Sequence, residues 1–256
     1  QKYDSGDYHT VLEKATELAS YDDLIRRRDQ LRAEGKLAGV GVVTNLEPGG
    51  GNNMFEYLMN PTAEITTFME ACQVRVDPHG RLVGTMGTTT SGQGHETLVA
   101  TIIGEELERE PADIRVSHAD TLARHPTRSP VASRLAFMLG GAASGAAQKI
   151  KDQVFRIAIH NLGKPEDELE YSEGTIFDRS DPSRKLTWED FAEIAHKQYH
   201  KLPEGMEPGL EATTFYDPPN FSYPFGTHVA VVSVDPTICF TTPACKSMQG
   251  LNRAIG

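Results

Sequence analysis

Only three cysteines occur in the chain, Cys72, Cys239 and Cys245, and none stands in a C-x-x-C pair. That spacing excludes a ready-made zinc or iron–sulfur site. Few cysteines and no leader lead to the expectation of a reducing, cytoplasmic setting. A basic stripe is also missing, and the formal net charge is −11, which argues against nucleic-acid binding. The single basic run, Arg26-Arg27-Arg28, stands among Asp22, Asp23 and Asp29 and has the pattern of a solvated helix face. Long apolar runs are absent. The most apolar region, Val131 to Leu162, carries Arg134, Lys149, Lys151, Asp152 and Arg156 and has no membrane-spanning character. No internal repeat is present. Apolar content is slightly low at 38%, with 24% charged residues, as in a folded chain with a good share of loop. The 256 residues allow one large domain or two small ones. The opening Gln1-Lys2-Tyr3-Asp4-Ser5 has no Met and enters structure at once, as in a processed chain or an excerpt.

Periodicity and punctuation then divide the chain. Asp7 caps a helix over Tyr8–Ala19, and a second helix spans Asp22–Glu34 and stops at Gly35. Leu37 to Thr44 is a strand whose alternating glycines imply close approach of a backbone or ligand. Glu47 to Asn53 is a loop. Ala63 to Val76 has the composition of one long strand, returned by the Asp77-Pro78-His79-Gly80 turn along Arg81 to Thr85. A helix over Glu96–Glu108 follows. The short strand Ile114–Ser117 is predicted to lie parallel to the preceding one, completing a crossover unit. His118 to Pro130 is a polar loop beyond that strand's carboxyl end, where ligands bind in open α/β layers. A long helix is predicted from about Ala132 to Asn161, with a small-residue section, Gly140 to Ala147, suited to close packing. Leu169–Ser172 and Gly174–Phe177 form a hairpin. Thr187 with Asp190 makes a capping-box-like start to a helix over Trp188–Tyr199. Leu210–Tyr216 and Gly226–Val234 are strands. Pro236 to Gly256 shows little periodicity and has no assigned structure.

The chain is organised around Gly84-Thr85-Met86-Gly87-Thr88-Thr89-Thr90-Ser91-Gly92-Gln93-Gly94-His95-Glu96-Thr97. Glycines between a strand and a helix start let a ligand approach the backbone, and the helix N-terminus offers unpaired N–H groups. This stretch is either a loop that cradles a phosphate-bearing cofactor or an ordinary strand-to-helix turn, since it matches neither the Rossmann nor the P-loop pattern. Gln93 brings a side-chain amide that both donates and accepts. His95 is a general base, a metal ligand or a helix-start hydrogen-bonder. No second His or Cys lies at ligand spacing from it, so no metal site is assigned. Asp120, Thr121, Ser133 and Arg134 form a second polar rim. Arg134 near a helix start suits a phosphate, with N-capping by Ser133 as the alternative. No nucleophile elbow or Ser–His–Asp pattern occurs. The scattered carboxylates single out no general base, and the catalytic residues stay unassigned.

Several segments together resemble the molybdenum hydroxylase large chain, the xanthine dehydrogenase family, and most of all its carbon monoxide dehydrogenase branch. They are Gly92-Gln93-Gly94-His95-Glu96-Thr97, Ile102 to Leu107, Ile114-Arg115-Val116, Ala119-Asp120-Thr121 and Ala132-Ser133-Arg134. Pro208-Gly209-Leu210-Glu211-Ala212, Tyr216 to Asn220 and Tyr223-Pro224-Phe225-Gly226 complete the set. Their order and spacing cover about Tyr3 to Asp235. The resemblance implies an α+β molybdopterin-binding domain with a mixed sheet and long packed helices over 1–235, followed by an atypical tail, 236–256. It implies that Gly92, Gln93, Gly94, His95 and Thr97 hold a molybdopterin cytosine dinucleotide, with Asp120, Thr121, Ser133 and Arg134 as a second contact region. Molybdenum is then the redox metal, with copper beside it in the carbon monoxide-oxidising type. FAD and [2Fe–2S] centres lie on a medium and a small partner subunit, in a dimer of heterotrimers.

The implied reaction hydroxylates a carbon centre, or oxidises carbon monoxide, with oxygen from water. The alternatives are a related aldehyde or N-heterocycle hydroxylase and a non-catalytic dinucleotide-binding fragment. A cytoplasmic location, extending to the inner face of the cell membrane, is the matching expectation. In place of the family's Gly-Thr-x-Gly-Ser-Arg-like stretch before the long helix, this sequence has Arg128-Ser129-Pro130-Val131-Ala132-Ser133-Arg134. The family's catalytic Gly-Glu motif and substrate-side loop have no counterpart in these 256 residues, so the chain by itself is expected to be inactive.

Overall fold

The computed structural model describes residues 6–51, 57, 58, 60–62, 69–118, 120, 127 and 130–235. It is a mixed α and β structure that divides into two compact units, Gly49–Ser222 and a smaller unit formed by Gln1–Pro48 with Tyr223–Gly256.

The smaller unit pairs two helices with a ribbon. Helix α1 (Tyr8–Leu18) starts at Asp7, whose carboxylate accepts from the Thr10 N–H at 3.1 Å, as the sequence predicts. Helix α2 (Tyr21–Ala33) follows directly. Strand β1 (Leu37–Leu46) pairs antiparallel with β9 (Phe225–Val234), in register from Leu37 opposite Val234 to Leu46 opposite Phe225. The two β1 glycines differ in purpose. A Cβ on Gly39 would come within 3.3 Å of Val232, whereas one on Gly41 would meet nothing within 4 Å. Close approach therefore accounts for the first glycine and not the second.

The larger unit holds the core. Its main sheet has the order β4-β3-β2-β8. Strands β2 (Glu70–Val76), β3 (Leu82–Met86) and β8 (Leu210–Tyr216) run antiparallel to their neighbours in that set, and β4 (Arg115–Ser117) joins β3 in parallel. The turn between β2 and β3 is closed by Asp77, which accepts from the His79 and Arg81 N–H groups at 2.8 and 3.0 Å. Helix α3 (His95–Leu107) links β3 to β4, which is the predicted crossover. Of the long strand expected over Ala63–Val76, residues 63–68 lie outside the described set.

Helix α4 (Leu135–Leu162) packs across β2 and β8 and beside α3. Its small-residue section permits this contact, as expected. A Cβ on Gly141 would lie 2.7 Å from the Tyr216 ring, and one on Gly145 2.8 Å from Thr214. Val74, Val99, Ile103, Leu139, Ala143 and Ile150 are fully enclosed between these layers.

The expected start of α4 at Ala132 is corrected to Leu135. Ala132 and Ser133 both take left-handed backbone angles, φ 52° and 50°, which no helix accommodates. Arg134, not Ser133, occupies the N-cap position, and no side chain caps the helix. The C-terminal end is as predicted, with Gly163 left-handed at φ 65°.

A second, three-stranded sheet has the order β5-β6-β7. Strands β5 (Leu169–Ser172) and β6 (Thr175–Asp178) form the predicted hairpin through Glu173 and Gly174, both at positive φ. Strand β7 (Asp181–Leu186) is not among the sequence expectations. It is a solvent-exposed edge with Pro182 in it and no hydrophobic alternation to mark it. Helix α5 (Trp188–Lys197) begins in the predicted capping box of Thr187 and Asp190 but ends two residues early, in a 3-10 turn over Tyr199–Lys201. Its Trp188 indole donates to Gly80 O at 2.8 Å, tying the start of α5 to the β2–β3 turn. Among the described residues no helix is long and apolar enough to cross a membrane.

Candidate functional site

Because β3 and β4 are parallel and adjacent, their carboxyl ends lie at the same end of the sheet. The glycine loop leaves β3 there and the polar loop leaves β4 there, so two segments far apart in sequence emerge side by side. Thr127 N–H donates to Gly87 O at 3.4 Å across them. His118 Nε2, just after β4, lies 2.9 Å from Glu96 Oε1 in the first turn of α3.

The glycine loop has the backbone its composition demands. Gly92 and Gly94 have φ of +91° and +76°, and a Cβ on either would meet nothing within 4 Å. They face open space. Gly94 is the N-cap of α3 and supplies no side-chain cap, so the first-turn N–H groups, including that of Thr97, have no helical acceptor. Inside the loop, Gln93 Oε1 accepts from Ser91 N–H at 2.6 Å. This bond closes the turn. The Gln93 NH2 makes no hydrogen bond to any described residue.

A cavity of about 350 Å³ lies between this loop and the start of α4, lined by Gln93, His95, Ser133, Arg134 and their neighbours from Pro130 to Ala136. Four of the predicted site residues thus converge on one space. His95 Nδ1 is buried without a partner among the described residues. A buried polar atom of that kind normally meets a partner in the working molecule. Asp120 is exposed and is not part of the lining. Thr121 lies outside the described residues. Among the described residues no group of three or more His, Cys, Asp and Glu is arranged to hold a metal ion.

Arg134 behaves differently from a surface phosphate ligand. Its guanidinium is fully buried and donates to Glu70 Oε2 at 2.8 Å. Glu70, at the start of β2, also accepts from the Thr127 hydroxyl and, at 3.3 Å, from the Ala71 N–H. Burial pushes the Glu70 carboxyl above its ordinary range, and the Thr127 and Arg134 contacts pull it back only in part. The neighbouring Cys72 thiol is pushed up to about 12, by burial first and by the Glu70 charge second. Glu70, Thr127 and Gly50, whose N–H donates to Ala132 O at 3.0 Å, are missing from the sequence-derived site. Glu70 had a signal: it is a single carboxylate opening an otherwise apolar run, Ala71-Cys72 and Val74, and a buried charge needs a partner.

The arrangement brings together backbone N–H donors, an amide, an imidazole and glycines that leave the backbone open. Residues 14–244 match the molybdopterin cofactor-binding domain family. The chain belongs to that family. It is 36% identical over 239 residues to the carbon monoxide dehydrogenase large chain of Hydrogenophaga pseudoflava, covering 91% of this chain and 29% of that protein. Among solved structures it resembles quinoline 2-oxidoreductase from Pseudomonas putida 86, with TM-score 0.79 and 28% identity over 93% of this chain and 30% of the other. It also resembles carbon monoxide dehydrogenase from Oligotropha carboxidovorans, with TM-score 0.77 and 29% identity over 91% of this chain and 29% of the other. The chain therefore spans under a third of the length of these relatives.

Proposed function

We propose that this chain is the cofactor-holding part of a molybdenum hydroxylase large subunit of the carbon monoxide dehydrogenase type. In this reading the cavity beside the glycine loop takes part of a molybdopterin cytosine dinucleotide. Gln93 orients a polar edge of the cofactor. Gly92 and Gly94 let it approach the backbone. The first-turn N–H groups of His95 and Thr97 donate to a phosphate, the His95 ring supplies a further polar contact, and Ser133 and Arg134 form the opposite wall. Asp120 and Thr121 complete the second contact region. The observation that carries the reading is the convergence of Gln93 and His95 with Ser133 and Arg134 on one cavity.

The residues present fit such a group. The space over the glycines is open, the N-terminus of α3 has no side-chain cap, and His95 Nδ1 is a buried atom awaiting a partner. When bound, the cofactor supplies the redox and oxygen-transfer chemistry. The chain's own residues bind it, orient it and keep water from its buried side. Because the Arg134 guanidinium is engaged with Glu70, phosphate charge is met here chiefly by N–H dipoles.

The rest of the reading follows the family resemblance. Carbon monoxide is the substrate, with copper beside the molybdenum, and electrons pass to [2Fe–2S] and FAD centres on a small and a medium subunit. The assembly in this reading is a cytoplasmic dimer of heterotrimers. The second reading is an aldehyde or N-heterocycle hydroxylase, and the likeness to the quinoline enzyme favours the N-heterocycle form.

The test is molybdenum and nucleotide analysis of the purified complex, with Gln93→Ala beside the wild type. The variant should carry less cofactor while melting normally, since Gln93 is exposed. Unchanged loading removes Gln93 from the site. An intact, active complex lacking both molybdenum and cytosine nucleotide sinks the reading.

A further inference from the structure

We infer that Glu70 is a positioning residue for this cofactor site, acting through Arg134 and Thr127 to set the wall formed by residues 130–134. The inference rests on the proposed function for the identity of the ligand. Its own support is geometric. The wall is a turn in which two consecutive non-glycine residues, Ala132 and Ser133, hold left-handed backbone angles. Such angles persist only where the surroundings over-determine them.

Two attachments do so. Gly50 N–H holds Ala132 O at 3.0 Å on one side. On the other, Arg134 donates to Glu70 Oε2 at 2.8 Å and to Met69 O at 3.4 Å. The same carboxylate takes the Thr127 hydroxyl through its second oxygen. One buried carboxylate on a central strand therefore gathers both segments that follow β4, and Thr127 in turn reaches the glycine loop at Gly87. A charged pair fixes direction and distance where apolar contacts would allow sliding. Glu70 itself does not line the cavity, so its influence on a ligand is indirect.

The experiment uses the full large subunit co-expressed with its partner subunits. It compares wild type, Glu70→Gln and the paired Glu70→Met/Arg134→Met variant. Molybdenum content, released nucleotide and the thermal midpoint are measured on each. Glu70→Gln removes the charged partner 2.8 Å from Arg134 and should lower both loading and midpoint. The paired variant replaces the ion pair by unbranched apolar groups. It should melt within about 5 °C of wild type while cofactor loading stays at least about five-fold lower, a split that a purely structural pair would not produce. Wild-type loading in the paired variant overturns the inference. So does failure of both variants to accumulate as folded complex, which would make the pair a stability element. A wild-type complex with no molybdopterin nucleotide instead refutes the proposed function, so the two failures are distinguishable.

Discussion

Arg134 Nη1 and Glu70 Oε2 lie 2.8 Å apart with both side chains fully buried, 64 positions apart in the chain. Removing one partner of a buried pair leaves an uncompensated charge and costs about 3–5 kcal/mol. Arg134→Leu in the full large subunit should therefore lower unfolding free energy by that amount in denaturant melts. A loss under about 1 kcal/mol would mean that water reaches the pair.

Gly141 marks the closest approach of α4 to the sheet, and a Cβ there would lie 2.7 Å from the Tyr216 ring. Alanine at a helical glycine gains about 1 kcal/mol of intrinsic propensity. Overpacking a rigid aromatic contact costs about 1–3 kcal/mol. The clash wins at this distance. Gly141→Ala should be destabilising by about 1–2 kcal/mol, and a stabilised variant would show that Tyr216 yields freely.

Ala132 holds φ 52° in the cavity wall, a conformation that costs an L-residue about 1–2 kcal/mol and a glycine almost nothing. Ala132→Gly should be neutral or stabilising by up to ~1 kcal/mol, after the extra unfolded-state entropy of glycine is subtracted. Ala132→Val should be destabilising, because a branched side chain is a genuine outlier there. Thermal melts of the two variants should therefore move in opposite directions, and a common direction would argue against the left-handed turn.

Asp178 is held well below its ordinary value of 3.8, at about 2, first by the Ser180 hydroxyl and N–H and then by Lys164. A carboxyl that is more acidic when folded contributes stability in its charged form. That contribution is complete above pH ~4 and is lost as pH falls towards 2. The stability difference between wild type and Asp178→Asn should be constant near neutrality and shrink between pH 4 and 2. A difference that grows on acidification would contradict the arrangement.

Much of this was legible in the chain before any coordinates, for local reasons. Asp7 and Thr187 announce helix starts because their side chains satisfy N–H groups only a few residues away. Gly163 announces a helix end because a left-handed residue favours glycine. Gln93 and His95 stand out because a glycine loop between a strand and a helix is itself a short-range pattern. Strand β7 is not legible because an exposed edge has no buried face to impose alternation. The start of α4 is not legible because Ala132 and Ser133 carry no side-chain signature of a left-handed turn.

The sequence by itself determined most of the helices and strands, where glycines free the backbone, and the family to which their order belongs. These are properties of neighbours in the chain, governed by backbone sterics and hydrophobic period. The tertiary structure alone decided that β8 and β9, consecutive strands, enter different sheets. It alone brought Gln93 and His95 beside Ser133 and Arg134. And it alone turned Arg134 from an apparent phosphate ligand into the partner of Glu70. A buried charge is drawn to the nearest opposite charge that folding supplies, and that distance is set by packing across the sheet, which no local pattern records.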